Sequence, residues 1–253
     1  MAEPVPARGQ PEWYRQAFGG GYRIVYAHRD EATAKEEVAF VLPRLRLPPG
    51  ASVLDVGCGA GRHLRAILSH QHQIHTFGID LSQDLLGDAV RGSGGRAARA
   101  DMRRLPFGGA AFDAVVSFFT SFGYFPTQAE DELVLAQIAR VLRPGGRFFF
   151  DFLEAAYVAA SLVPRTERVA GGSARVVETR RIEGGRVKKQ VEITEADWKE
   201  PLAYEESVRL YERRELESML WAAHLLPLCW FGAYDGRPAG SGPRLLGFCE
   251  RAP

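Results

Sequence analysis

The densest chemistry in the chain lies in Val53-Leu54-Asp55-Val56-Gly57-Cys58-Gly59-Ala60-Gly61-Arg62, an apolar run that enters a glycine-rich turn. Glycines let the backbone turn sharply and let a ligand approach it closely. A dinucleotide-binding turn looks similar, but two residues argue against it. Arg62 occupies the last position of G-x-G-x-x-G, where its bulk spoils close helix–strand packing. Asp55, two residues before Gly57, would repel a pyrophosphate but suits an ammonium or sulfonium group. Asp80, in Gly78-Ile79-Asp80-Leu81-Ser82, follows at the interval of about 20 residues at which an acid accepts from both hydroxyls of a ribose. The plainer role of helix N-cap can fall to Ser82 instead. Asp101, in Ala100-Asp101-Met102-Arg103-Arg104-Leu105-Pro106-Phe107, can accept from an adenine amino group, with Leu81 and Met102 sandwiching the ring. Phe112-Asp113-Ala114-Val115-Val116-Ser117-Phe118-Phe119 is an apolar strand whose end, at Phe118, offers backbone carbonyls to a ligand ammonium.

These residues must be held by alternating elements. Short strands are expected over 52–56, 75–79, 97–100, 112–118 and 147–152, and helices over 31–45, 61–69, 82–91 and 129–142. Alternation of this kind implies parallel pairing with right-handed crossovers, hence a doubly wound α/β sheet. After Leu162 the texture changes. Arg175–Ile182 and Arg186–Ile193 flank Glu183-Gly184-Gly185 as a hairpin, with a third strand near Ala203–Leu210. This segment is an antiparallel insertion after the fifth strand, and its alternation gives no clean apolar face. A helix over 212–224 and strands over 225–234 and 244–250 close the chain. The division is a tail and lid at 1–30, a core at 31–164, the insertion at 165–210 and a return to the core at 211–253.

In order and spacing, VLDVGCGAGRH, GIDLS, ADMRRLPF, FDAVVSFFTSFGYF and VLRPGGRFFFDF resemble the successive motifs of class I methyltransferases that use S-adenosyl-L-methionine (SAM). The similarity is strong over about 31–153, and the C-terminal LYERRELESMLWAAHLLPL and FGAYDGRP resemble the closing elements of small-molecule members. It implies a seven-stranded, mostly parallel sheet with its last strand antiparallel. It also implies SAM contacts at Asp55, Gly57, Gly59, Asp80, Leu81, Asp101, Met102 and Phe118.

The acceptor is narrowed by what is missing. Ser117-Phe118-Phe119-Thr120 stands where amino-methylating DNA enzymes carry an Asn- or Asp-Pro-Pro-aromatic loop, and no Pro-Cys nucleophile is present. No carboxylates mark a metal-dependent catechol-type site, and the paired-glutamate loop of protein-arginine enzymes is lacking. An aromatic pocket remains, with Phe122, Tyr124 and Trp198 among its expected walls. The reading is in-line methyl transfer to a small-molecule acceptor, which needs alignment and exclusion of water more than acid–base help. His28 and Tyr124 are the candidate bases if a proton must leave. The segment Trp13–Arg29, with its aromatics and Gly19-Gly20-Gly21, is placed to act as a lid. Two rivals stay open: an RNA-directed enzyme using the basic hairpin Arg175–Lys189 as an arm, and a SAM-binding protein without catalysis. The insertion is expected to govern acceptor choice and leave SAM binding untouched, either roofing the pocket or pairing with a second copy in a homodimer.

Composition bounds the rest. The 253 residues carry a net charge of +1, so no large positive field exists to hold nucleic acid. Three widely spaced cysteines form no C-x-x-C pair, which excludes a structural zinc site and suits reduced thiols in the cytoplasm. His70, His72 and His75 fit no metal spacing and read as a solvated connection. No apolar run is long enough to span or anchor in a membrane, and residues 1–11 read as a disordered tail.

Overall fold

A computed structural model describes residues 12–70 and 73–253; the expected tail and His72 lie outside the described residues. Two short helices, α1 (Tyr14–Ala17) and α2 (Gly20–Val25), precede α3 (Glu31–Leu45). Asp30 caps α3 by accepting from the Thr33 N–H at 2.9 Å. The core then alternates: β1 (Ser52–Val56), α4 (Arg62–His70), β2 (His75–Asp80), α5 (Gln83–Gly92), β3 (Ala97–Arg99), β4 (Phe112–Ser117), α6 (Gln128–Val141) and β5 (Leu142–Leu153). Next come α7 (Ala155–Ser161) and four strands, β6 (Arg165–Ala170), β7 (Ala174–Glu183), β8 (Arg186–Thr194) and β9 (Leu202–Arg209). Helix α8 (Arg213–Ala222) and strands β10 (Leu225–Phe231) and β11 (Arg244–Arg251) complete the chain.

The main sheet has seven strands in the order β10-β11-β5-β4-β1-β2-β3. β1 runs parallel to β2 and β4, β4 runs parallel to β5, and β11 is antiparallel to both its neighbours. The expected last-strand reversal is therefore present. Chain order reverses between β1 and β4, which opens a crevice at the carboxyl ends of these strands, where open α/β sheets bind ligands.

The side chains explain this layering. In β5, Phe148 and Phe150 stack on one face of the sheet (ring centroids 5.3 Å apart), while Phe149 enters the cluster on the other. A run of consecutive buried phenylalanines suits a central strand covered by helices on both sides. Helix α6 starts with a capping box between Thr127 and Glu130 and buries Val134, Leu135, Ile138 and Val141 as one stripe. Each such side chain contributes about 1.5–3 kcal/mol by leaving water, so Ile138→Ala would break the contact most sharply.

The insertion is a four-stranded antiparallel sheet in the order β6-β7-β8-β9. The sequence reading missed β6 and α7, and its account of the hairpin as lacking an apolar face needs correction. Ala174, Val176, Val191 and Ile193 are fully buried and join Val25 and Phe152 in a single cluster. Glu178 and Arg180 continue the same inward face; their polarity hid the alternation.

Candidate active site

The glycine turn after β1 forms one wall of a cavity of about 430 Å³ at the crevice. Gly57 has φ +77°, and a Cβ there would lie 2.5 Å from Ser121 Oγ, so no larger residue fits. Gly59 (φ +54°) faces the cavity, and its N–H donates to Asp80 Oδ2 at 2.8 Å. Asp80 Oδ1 accepts from the Ser82 N–H at 2.8 Å, while Ser82 Oγ caps α5. Burial raises the Asp80 carboxyl above its usual range, against the pull of these amide donors. Leu81, Asp101, Met102 and Phe118 complete the floor and sides. Asp101 is not a free acceptor: Arg103 grips it at 2.7 Å and also reaches Glu130 at 2.7 Å. Burial opposes ionisation of Asp101, but the Arg103 hydrogen bonds hold its pKa below the usual value.

Asp55 lies beneath the turn rather than on the wall and is 1% exposed. Its Oδ2 has no hydrogen-bond partner among the described residues. Burial, then the nearby charge of Asp80, pushes its pKa up to about 7. At the opposite sign, the buried Nη1 atoms of Arg29 and Arg62 also lack hydrogen-bond partners among the described residues, although Arg62 Nη1 lies 3.2 Å from Glu37. A buried carboxyl beneath the turn and two under-satisfied guanidinium groups lining the same cavity suit a zwitterionic ligand. His63 extends this cluster. It bonds Glu37 at 2.5 Å and stacks flat on Phe118 at 3.9 Å. Burial drives its pKa down to about 4, so the imidazole is neutral near pH 7.

A second cavity of about 620 Å³ abuts the first across Phe18, Tyr22, Tyr26, Arg29, Phe119 and Tyr124, which line both. Phe119 and Thr120 adopt left-handed backbone (φ +60° and +55°), a conformation costing roughly 1–2 kcal/mol per residue. Asp151 fixes it by accepting from the Phe119 N–H at 3.0 Å, and Arg244 by donating to Thr120 Oγ at 2.6 Å. The Phe119 ring is thereby set between the cavities with the Arg29 guanidinium 2.9 Å from its centroid. The insertion supplies the roof of the second cavity. Glu206 accepts from the Tyr26 hydroxyl at 2.9 Å and pairs with Lys189 at 2.8 Å; Glu178 pairs with Arg180 at 2.7 Å.

Of the residues singled out from sequence, Gly57, Gly59, Asp80, Leu81, Asp101, Met102, Phe118 and Tyr124 line the first cavity. His28 lines only the second, at its exposed rim. Burial raises the Tyr124 phenol well above its usual pKa, so it stays protonated; burial and then Arg29 lower that of His28. Phe122 and Trp198 line neither cavity: Phe122 packs against Phe152 and Tyr211, and Trp198 lies at the surface. Sequence reasoning overlooked Glu37, His63 and Glu206 and gave Arg29 and Arg62 no binding role. The GRH ending of the glycine motif was a usable signal for the pair at 62–63, but nothing local announces Glu37 or Glu206.

The basic residues of the hairpin are spent on nearby acids: Arg175 on Glu167 at 2.7 Å, Arg181 on Glu205 at 2.9 Å and Lys188 on Glu183 at 2.8 Å. An arm for RNA would present such charges unpaired. Among the described residues, no group of three or more His, Cys, Asp or Glu is placed to hold a metal ion, and no helix is long and apolar enough to cross a membrane.

Residues 53–146 match the model of a methyltransferase domain family. Over 233 residues, the chain is 32% identical to dTDP-3-amino-3,4,6-trideoxy-alpha-D-glucopyranose N,N-dimethyltransferase of Streptomyces venezuelae, covering 87% of this chain and 93% of that one. Among solved structures, Streptomyces venezuelae DesVI is similar at 26% identity with a TM-score of 0.69, covering 91% and 97% of the two chains. The SAM-bound amino pentose methyltransferase CalS10 from Micromonospora echinaspora shares the fold, at 22% identity and a TM-score of 0.69 over the whole of both chains. With its strand order, its glycine turn and a cavity at the sheet's switch point, the chain belongs to the class I SAM-dependent methyltransferases that act on small molecules.

Proposed function

We propose that the acceptor is the amino group of a sugar joined to a nucleoside diphosphate, methylated on nitrogen where the two cavities meet. The observation that carries this reading is the second cavity itself. It is large, it abuts the first through an aromatic partition, and its roof brings Glu178 and Glu206 inward beside Lys189, Arg168 and Arg180. The carboxylates of Glu178 and Glu206 give an acceptor amine partners, and Arg168, whose buried Nη1 has no hydrogen-bond partner among the described residues, gives an anionic group one. The similarity to an N,N-dimethyltransferase of a dTDP-linked amino sugar supports the same class.

In the first cavity, Asp80 would take the ribose hydroxyls of SAM, Asp101 the adenine amino group through acceptor capacity left beyond the Arg103 bonds, and Leu81 and Met102 the faces of the ring. The Phe118 carbonyl would face the ammonium end, with Asp55 beneath the turn acting on it through its charge, while Arg29 and Arg62 would take the carboxylate. Bound SAM supplies a methyl group already activated on a sulfonium. The chain's own residues need only orient the acceptor and keep water out. Phe119, Tyr22 and Tyr124 close the partition. As a neutral phenol, Tyr124 accepts a hydrogen bond from the amine and directs its lone pair without serving as a strong base. His28, whose pKa is lowered by burial and then by Arg29, stands at the open rim, where it can relay the proton that the amine sheds to solvent.

The test is incubation with SAM and a panel of dTDP-linked amino sugars, followed by mass spectrometry. Gains corresponding to one and two methyl groups on the amine are expected. SAM binding with no methylation of any sugar amine, alongside turnover of another metabolite class, would overturn the acceptor reading alone.

A further inference from the structure

The loop after β4 that carries Tyr124 is held from outside the core sheet. Gly123, Tyr124, Phe125 and Pro126 turn four consecutive carbonyl oxygens toward the insertion, and two arginines take them all. Arg186, the first residue of β8, donates to the carbonyls of Gly123 (3.0 Å), Tyr124 (3.1 Å) and Phe125 (3.1 Å). It also donates to the Ser207 carbonyl (2.9 Å) and hydroxyl (2.8 Å). Arg209, the last residue of β9, donates from its side chain to the Pro126 carbonyl (2.8 Å) and from its backbone N–H to Gly123 O (2.8 Å). The charges are balanced from the other side by Asp131 on α6. It is buried, accepts from the Tyr211 hydroxyl at 2.8 Å, and lies 3.7 Å from Arg209 Nε.

Four converging carbonyls repel one another and, when buried, need donors. A guanidinium offers five N–H groups in a fixed plane, whereas an ammonium is a compact point charge that cannot span three oxygens. The loop conformation, with Gly123 at φ +79°, therefore depends on Arg186. Tyr124 and Phe125 both line the SAM cavity. We infer that Arg186, with Arg209 beside it, is a positioning residue for the SAM site, acting through the loop 123–126, although it belongs to the insertion. This inference stands on the SAM cavity and not on the identity of the acceptor.

The experiment compares Arg186→Lys and Arg186→Ala with wild type and with Arg181→Ala, at an exposed arginine of the same hairpin that pairs with Glu183 and Glu205. Two quantities are read on the full chain: the dissociation constant of S-adenosylhomocysteine by calorimetry, and hydrogen exchange of the amides of 121–126. Arg186→Lys, which keeps charge and bulk, should weaken binding about fivefold to twentyfold and speed exchange in the loop while the rest of the sheet stays protected. Arg186→Ala should weaken it at least as much, and millimolar guanidinium should restore most of the loss by refilling the vacated space. Arg181→Ala should bind as wild type. Unchanged affinity and loop exchange in folded Arg186→Lys would overturn the inference. So would a loss in Arg186→Ala that guanidinium leaves untouched. Should Arg186→Ala fail to fold, the Lys variant alone decides.

Discussion

Two carboxylates, Asp80 and Asp55, have different jobs because their surroundings differ. Asp80 sits on the cavity wall with both oxygens already taking one amide each, which orients its remaining lone pairs toward a ligand. Two charge-assisted hydrogen bonds to ribose hydroxyls are worth about 1.5–3 kcal/mol each when desolvated. Asp80→Ala should therefore weaken S-adenosylhomocysteine binding at least tenfold, since about 1.4 kcal/mol is a factor of ten. Asp80→Asn, which must set its NH2 against the Gly59 or the Ser82 N–H, should lose at least as much; a folded Asn variant with wild-type affinity would contradict the ribose role. Asp55 predicts a pH effect. With its folded pKa near 7, above the unfolded value, it favours the ligand-free fold fully below about pH 4, and that contribution fades as pH rises to about 7. A ligand ammonium favours the ionised form, so binding releases a proton below pH 7. Affinity for S-adenosylhomocysteine should climb from pH 5 to 7, by up to about tenfold per unit, and level off above. Asp55→Asn should flatten the profile; an unaltered slope in that variant would move the effect to Asp80.

The N-terminal helices show what an element can do that its residues cannot do singly. Tyr14 lines the cavity from α1, Phe18 follows that helix, Tyr22 lies in α2, and Tyr26 and Arg29 come just after it. The segment is tied to α5 by Ser82 Oγ donating to the Phe18 carbonyl at 2.5 Å and by Arg23 donating to the Asp84 carbonyl at 2.7 Å. Few of its ties are backbone ladders, so it belongs to the part of the molecule that opens first. Exchange across Trp13–Arg29 should slow on adding S-adenosylhomocysteine, with β1 and β4 little changed. Equal exchange with and without ligand would mean the segment is plain packing. This element, like the core strands and helices, was legible in the sequence because its pattern is local: aromatic spacing, a glycine break, then Asp30 as a cap. Most of the residues that line the first cavity were legible for the same reason, each lying at or just beyond the end of a strand that could be read by itself. Glu37, Glu206 and Arg186 were not, because they reach the site from α3, β9 and β8 through tertiary folding alone. β6 was hidden by its composition, since Arg165, Glu167 and Arg168 mask a strand that covers one edge of the second sheet.

At the scale of the whole molecule, the insertion is part of the core and not an appendage. From its sequence, a polar hairpin should be removable, leaving SAM affinity within about threefold. Packing argues otherwise. Val176, Val191 and Ile193 are completely buried and share one cluster with Val25 of the N-terminal segment and Phe152 at the end of β5. Removing all three forfeits about 1.5–3 kcal/mol each. The sum is of the same order as the roughly 5–15 kcal/mol by which a domain is stable. The same deletion removes Arg186 and uncaps the loop that carries Tyr124. Replacing Arg175–Ile193 with a short Gly-Ser loop should therefore lower the melting temperature by many degrees and weaken S-adenosylhomocysteine binding by more than tenfold. Val169→Ser, at a side chain of β6 that is 68% exposed, should change neither and shows that the insertion tolerates ordinary surface substitution. Melting curves and calorimetry on the two variants decide the matter. A loop-replaced chain that melts like wild type and binds the ligand within threefold would make the insertion a separable module after all, with acceptor choice as its whole role. Loss of binding together with a lowered melting temperature would mean that donor and acceptor cavities share one body of packing, in which the loop 123–126 is the hinge of the coupling.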